Sequence, residues 1–169
     1  MGVDILCQAV SGMGKTAVFV LSSLHCVGES PQPASVLVLA HARELAYQIK
    51  GEFTRLAKFI TDIRTEVILG GESLEKQKKL LKGPKTPHII VGTPGRILHL
   101  AKDKSLNLDN LKMFILDECD KVLDNVGKCA IHISSFECIT KQTFLHNLCV
   151  QICVATSSRS SRRRLTASR

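Results

Sequence analysis

Residues 114 to 124, "FILDECDKVLD", set the carboxylates Asp117, Glu118 and Asp120 directly behind an apolar run. They read as charges without a basic partner. Taking such groups out of water is costly unless a cation or a hydrogen-bond donor meets them, so a cation is expected here. A group able to bring one stands near the start of the chain. "AVSGMGKT", Ala9 to Thr16, fits the spacing A-x-x-x-x-G-K-T. Gly12 and Gly14 permit backbone conformations that turn several N–H groups toward one point, where they can cradle phosphate oxygens at the start of the following helix. Ala9, Ser11 and Met13 complete that loop. Lys15 would reach the β- and γ-phosphates, and the Thr16 hydroxyl would ligate Mg²⁺. Asp117 is placed to hold the same ion, and Glu118 to orient and deprotonate an attacking water. Two plainer readings stand beside these. The first is a chance Gly-Lys-Thr turn. The second is a helix start made acidic to match its dipole, which fits Asp120 and Asp124 better than the pair 117–118.

Those residues need a frame that carries loops to one edge. Residues 3–9, 35–40, 65–70, 88–92 and 113–118 are short apolar runs, the pattern of strands covered on both faces. Helical patterns fall between them at 15–26, 43–60, 73–82 and 95–103, the third starting on Ser73 as a cap. Alternation of this kind predicts an α/β domain with a mostly parallel sheet and right-handed crossovers. Ligands in such sheets bind beyond the carboxyl ends of the strands. The pattern is clear over 1–124 and weak over 125–156, which is expected to be a domain edge.

Composition limits the alternatives. A chain of 169 residues, 44% hydrophobic and 22% charged, is long enough for one domain with a real core. Its longest apolar runs are far short of the ~20 residues that span a bilayer, and no signal peptide is expected at Met1. Seven cysteines scattered through apolar stretches favour reduced thiols and a cytosolic or nuclear setting. Cys129, His132, Cys149 and Cys153 could supply four zinc ligands, but at spacings foreign to the common zinc modules. The net charge of +8 is uneven: residues 129–169 hold 6 Lys+Arg against 1 Asp+Glu. The five arginines of 157–169 predict a disordered basic tail, either a nonspecific phosphate-binding or nuclear-targeting segment, or an accidental basic end.

Taken in order, "AVSGMGKT", "ARELA" (42–46), the glycine pair 70–71, "VGTPGR" (91–96) and "DECD" (117–120) resemble the first RecA-like domain of the DEAD-box RNA helicases. Cys119 and the surrounding "FILDECDK" are similar to the DECD-box subgroup of pre-mRNA splicing and mRNA export. The resemblance implies a three-layer P-loop fold, with ATP and Mg²⁺ at Lys15, Thr16 and Asp117 and Glu118 as acid–base. It gives Asp120 a coupling role. It also implies that Arg43, Glu44, Gly70, Gly71, Thr93, Pro94, Gly95 and Arg96 grip the backbone of single-stranded RNA. By itself "GTPGR" is equally a tight turn and helix start. The implied setting is the nucleus, and also the cytoplasm, with splicing or export proteins as partners of a monomeric chain.

Departures from the family pattern accompany the matches. Ala42 replaces a threonine, and Val10 a lysine usual in the subgroup. The family's adenine-reading glutamine segment would precede Met1. Of its Ser-Ala-Thr motif only "VAT" (154–156) is an echo, and those letters also resemble part of a second-domain motif. The second RecA-like domain, with its arginine finger, is not in the chain, so weak ATP turnover is expected. A non-catalytic chain that competes for RNA or partners, or an inactive one, is the alternative.

Overall fold

The computed structural model describes residues 3–9, 12–29, 31–60, 62–118, 121 and 150–156. Among the described residues there are six strands and four α-helices, in the order β1 (Val3–Ala9), α1 (Lys15–Glu29), β2 (Val36–Leu39), α2 (Arg43–Leu56), β3 (Thr65–Ile68), α3 (Leu74–Lys82), β4 (Ile89–Gly92), α4 (Pro94–Lys102), β5 (Met113–Leu116) and β6 (Val150–Thr156). The strands form one sheet in the order β1-β6-β5-β2-β4-β3, every pairing parallel. This is the parallel-sheet α/β arrangement that the alternation of runs predicts, in the three layers that the resemblance implies.

The continuous apolar runs exist because the central strands are buried on both faces. Val36 and Val38 point to one side of β2, where they join Phe19, Val20, Leu24 and Val27 of α1 and Ile49 and Phe53 of α2. Leu37 and Leu39 point to the other, with Leu81 of α3 and Ile97 and Leu100 of α4. Two cores therefore flank one sheet, and α4 presses close to its strand. A methyl group added at Gly92 would lie 2.6 Å from Ile97 and 2.9 Å from the Ile68 carbonyl oxygen, so only glycine fits there.

Some local details differ from the sequence reading. The helix expected over 43–60 ends at Leu56 and tightens into a 3₁₀ turn, Ala57–Phe59. Ser73 occupies the cap position of α3, but its side chain makes no capping hydrogen bond. Gln77, on what reads as a polar helix, is buried. β6 lies in the stretch 125–156 where the sequence pattern fades, yet it takes a place inside the sheet between β1 and β5. The proposed zinc ligands Cys129, His132 and Cys149 and the basic tail 157–169 lie outside the described residues, as does the side chain of Cys153. Among the described residues no helix is long and apolar enough to cross a membrane.

Candidate nucleotide site and nucleic-acid cleft

All strands run the same way, so the loops after β1, β2, β4 and β5 leave one edge of the sheet, and each of α1, α2 and α4 starts there. Gly12 and Gly14 both adopt left-handed backbone, φ +84° and +79°, and the space a side chain would occupy at either is open. Lys15 and Thr16 open α1, whose first turn holds no acidic residue. Met13, between the glycines, is exposed. Ala9 ends β1. Ser11 lies outside the described residues, as do Cys119 and Asp120.

Asp117 directly follows β5. Its backbone N–H donates to the Leu39 carbonyl oxygen, 3.0 Å, and only 4% of the residue is exposed. Burial, then the neighbouring charge of Glu118, pushes its carboxyl up from 3.8 to about 6, against a downward pull from the Glu118 N–H, Lys15 and Lys121. A buried acid held back from ionisation by a second acid is a site that gains from a cation. The hydroxyl and carboxylate oxygens of Thr16 and Asp117 are hard donors, the kind Mg²⁺ takes, and the phosphate-loop geometry beside Lys15 suits the anion that would accompany it.

Glu118 corrects one expectation, because it is not without basic neighbours. Lys121 Nζ lies 2.8 Å and His41 Nδ1 3.1 Å from the same oxygen, Glu118 Oε2. Glu118 also sits at φ +51°, a left-handed conformation that costs a non-glycine residue about 1–2 kcal/mol and turns its side chain away from the direction an extended strand would set. Sequence reasoning passed over His41. The available signal was positional, since His41 stands two residues past β2 as Glu118 stands two past β5.

The segments after β2, β3 and β4 meet in an open cleft of about 620 Å³ lined by Arg43, Glu44, Gly70, Thr93, Gly95 and Arg96, together with His41 and Ala42. Pro94 is the first residue of α4. Gly71 lies beneath the Arg43 guanidinium, which a methyl group there would meet at 2.7 Å. Arg96 donates to the Glu72 carbonyl oxygen and, at 2.9 Å, to Gln77 Oε1. Gln77 in turn donates to Leu69 O and Glu72 Oε2, and the Tyr47 hydroxyl donates to Glu72 Oε1. Glu72, Gln77 and Tyr47 thus clamp the loop that presents the glycine pair, a function the sequence motifs do not mark. Arg96 spends two of its five N–H donors on this loop and a third on Gln77 of α3.

Two helix N-termini, those of α2 and α4, open at this cleft, and neither is capped by a side chain. Free amides and the positive ends of helix dipoles favour phosphate there. Ala42 is the uncapped residue of α2. We expect Ala42→Thr to stabilise the chain by about 1 kcal/mol through a restored cap, read as a higher denaturant midpoint at unchanged slope.

The DEAD/DEAH box helicase family model matches residues 1–162. The chain belongs to that family. It is 57% identical to the ATP-dependent RNA helicase SUB2 of Phaeosphaeria nodorum over 127 residues, 73% of this chain and 29% of the relative. The chain therefore spans less than a third of the length of the curated relatives it matches. In structure it is similar to a DEAD box protein from Methanococcus jannaschii, with TM-score 0.77 and 34% identity over 97% of this chain and 42% of that one. It is also similar to S. cerevisiae Dbp5 bound to RNA and ADP BeF3, with TM-score 0.72 and 31% identity over 96% and 38% of the two chains. The fold agrees with the family to which the motifs point. It also decides where "VAT" belongs: Val154–Thr156 end β6, with Thr156 in register with Ala9 at the head of the phosphate loop, so the triplet lies in this sheet and not in a second domain.

Proposed function

We propose that this chain is the nucleotide-binding and RNA-gripping domain of an ATP-dependent RNA helicase. One observation carries the reading. The buried acid Asp117, the phosphate-type loop before Lys15 and a cleft with two uncapped helix N-termini share one edge of one sheet.

Ala9, Ser11, Gly12, Met13 and Gly14 form the phosphate cradle, Lys15 binds the terminal phosphates, and Thr16 and Asp117 hold Mg²⁺. Bound there, the metal would supply charge neutralisation for phosphoryl transfer. Glu118 orients and takes a proton from water. Arg43, Glu44, Gly70, Gly71, Thr93, Pro94, Gly95 and Arg96 hold single-stranded RNA by its backbone, through amides, a hydroxyl and guanidinium groups that read no bases. The DECD sequence favours splicing or export proteins as partners and a nuclear setting that extends to the cytoplasm, with the chain a monomer. An arginine finger from a second RecA-like domain, as the family resemblance implies, would raise turnover by ~10³–10⁵, the worth of such fingers in related NTPases.

Phosphate release from Mg-ATP with saturating oligouridylate tests the reading. Glu118→Gln is expected to keep the Mg-ATP affinity within about threefold while losing the release the unaltered chain shows. Release that survives would remove Glu118 from its role, and an unaltered chain that binds no Mg-ATP would sink the nucleotide site altogether.

A further inference from the structure

His41 touches both halves of the proposed machine. β2 and β5 pair in parallel with Leu39 across from Leu116, and continuing that register by two residues sets position 41 across from position 118. The side chains meet even though Glu118 has left the extended backbone of the strand: Nδ1 of His41 is 3.1 Å from Glu118 Oε2. They meet imperfectly, because the approach is not aligned for hydrogen bonding and the buried Nδ1 has no hydrogen-bond partner among the described residues. A buried ring nitrogen left this way is satisfied by a small rotation of either group. The same residue forms part of the cleft wall beside Arg43, Thr93 and Arg96. About a fifth of its side chain is exposed, so a molecule in the cleft can reach it.

We propose that His41 is a positioning residue for Glu118 that transmits occupancy of the RNA cleft to the nucleotide site. A strand backbone in the cleft turns the imidazole, Nδ1 aligns with Oε2, and the carboxylate is drawn from Lys121 into one fixed orientation. This rests on the function proposed above, which gives Glu118 and the cleft their roles. It adds a residue outside the phosphate loop, the DECD acids and the RNA-contact segments.

The test measures how far oligouridylate changes the affinity of the full chain for a Mg-bound non-hydrolysable ATP analogue. That factor is reciprocal between the two ligands and usually lies between about 5 and 150. The unaltered chain is expected to show at least about fivefold. His41→Phe keeps a ring but no nitrogen and should bring the factor to about 1; because the factor is a ratio of affinities, a change in RNA affinity by itself does not move it. His41→Asn sets an amide near the place of Nδ1 and should retain most of the coupling, which a merely structural role would not require. The His41 ring resonance, identified by its loss in His41→Asn, should move on adding either ligand alone. Normal coupling in His41→Phe, or a resonance that answers RNA but not nucleotide, would overturn the inference. So would an unaltered chain that binds both ligands without coupling, though it would leave the proposed function standing. An unaltered chain that binds neither ligand would overturn both.

Discussion

Lys15→Ala is expected to erase the response of the melting curve to Mg-ATP. A ligand bound only by the folded state stabilises it by RT ln(1 + [L]/Kd), about 2.7 kcal/mol at a hundredfold excess over Kd. Lys15 is the first residue of α1, behind a loop whose two glycines hold left-handed backbone. In the proposed function its ammonium meets the terminal phosphates. Charge-assisted hydrogen bonds of that kind contribute about 1.5–3 kcal/mol each, so their loss weakens binding by about a hundredfold or more. At the same nucleotide concentration the stabilisation then falls to about 0.4 kcal/mol. The ligand-free melt should change by less than about 1 kcal/mol, because Lys15 is only partly buried. Calorimetry of both chains with and without Mg-ATP decides the matter. A shift in Lys15→Ala as large as in the unaltered chain would end the phosphate-loop assignment.

Asp117→Asn should do the opposite to the ligand-free protein and make it more stable at neutral pH. The carboxyl is raised from 3.8 to about 6 chiefly by burial and next by Glu118. The folded state therefore binds this proton more tightly than the unfolded chain does. The linked stability is fully present below about pH 3.8 and is lost as pH rises through about 6. At pH 7 the deficit corresponds to about 3 kcal/mol. An uncharged isostere removes it, and each kcal/mol regained raises Tm by about 2–4 °C in a chain of this size. Asp117→Asn should also flatten the part of the stability profile between pH 4 and 6. In the same variant the response to Mg-ATP should vanish, since a neutral amide is a poor ligand for a hard divalent cation. Equal or lower stability at pH 7 would mean that Asp117 is satisfied within the fold and awaits no cation.

The two substitutions together describe a site built at a cost in stability. Asp117 is buried next to another acid, and Glu118 holds a left-handed backbone that a non-glycine residue adopts only under constraint. Such local penalties gather where a ligand later relieves them.

Much of the frame is determined by the sequence itself. The runs at 88–92 and 113–118 announce β4 and β5 because a parallel strand buried on both faces is apolar at every position. The run at 3–9 also forms a strand, but β1 lies at the edge of the sheet with Ile5 and Leu6 exposed, not covered on both faces as its apolar residues suggest. The starts of α1 and α4 are equally legible, since Gly-Lys-Thr and Thr-Pro-Gly carry backbone requirements that are local. The chemistry proposed for Lys15, Thr16, Asp117 and Glu118 likewise rests on residue type and spacing. Only the tertiary structure decided which neighbours these residues have. It set β6 between β1 and β5 from a stretch with no clear local pattern, because strand order follows long-range packing. It gave Glu118 the company of His41 from across the sheet and engaged Arg96 with the loop at Glu72. It also raised the Asp117 carboxyl toward neutrality. Each of these depends on residues brought across a sheet or between elements, where the distance in space bears no relation to the distance along the chain.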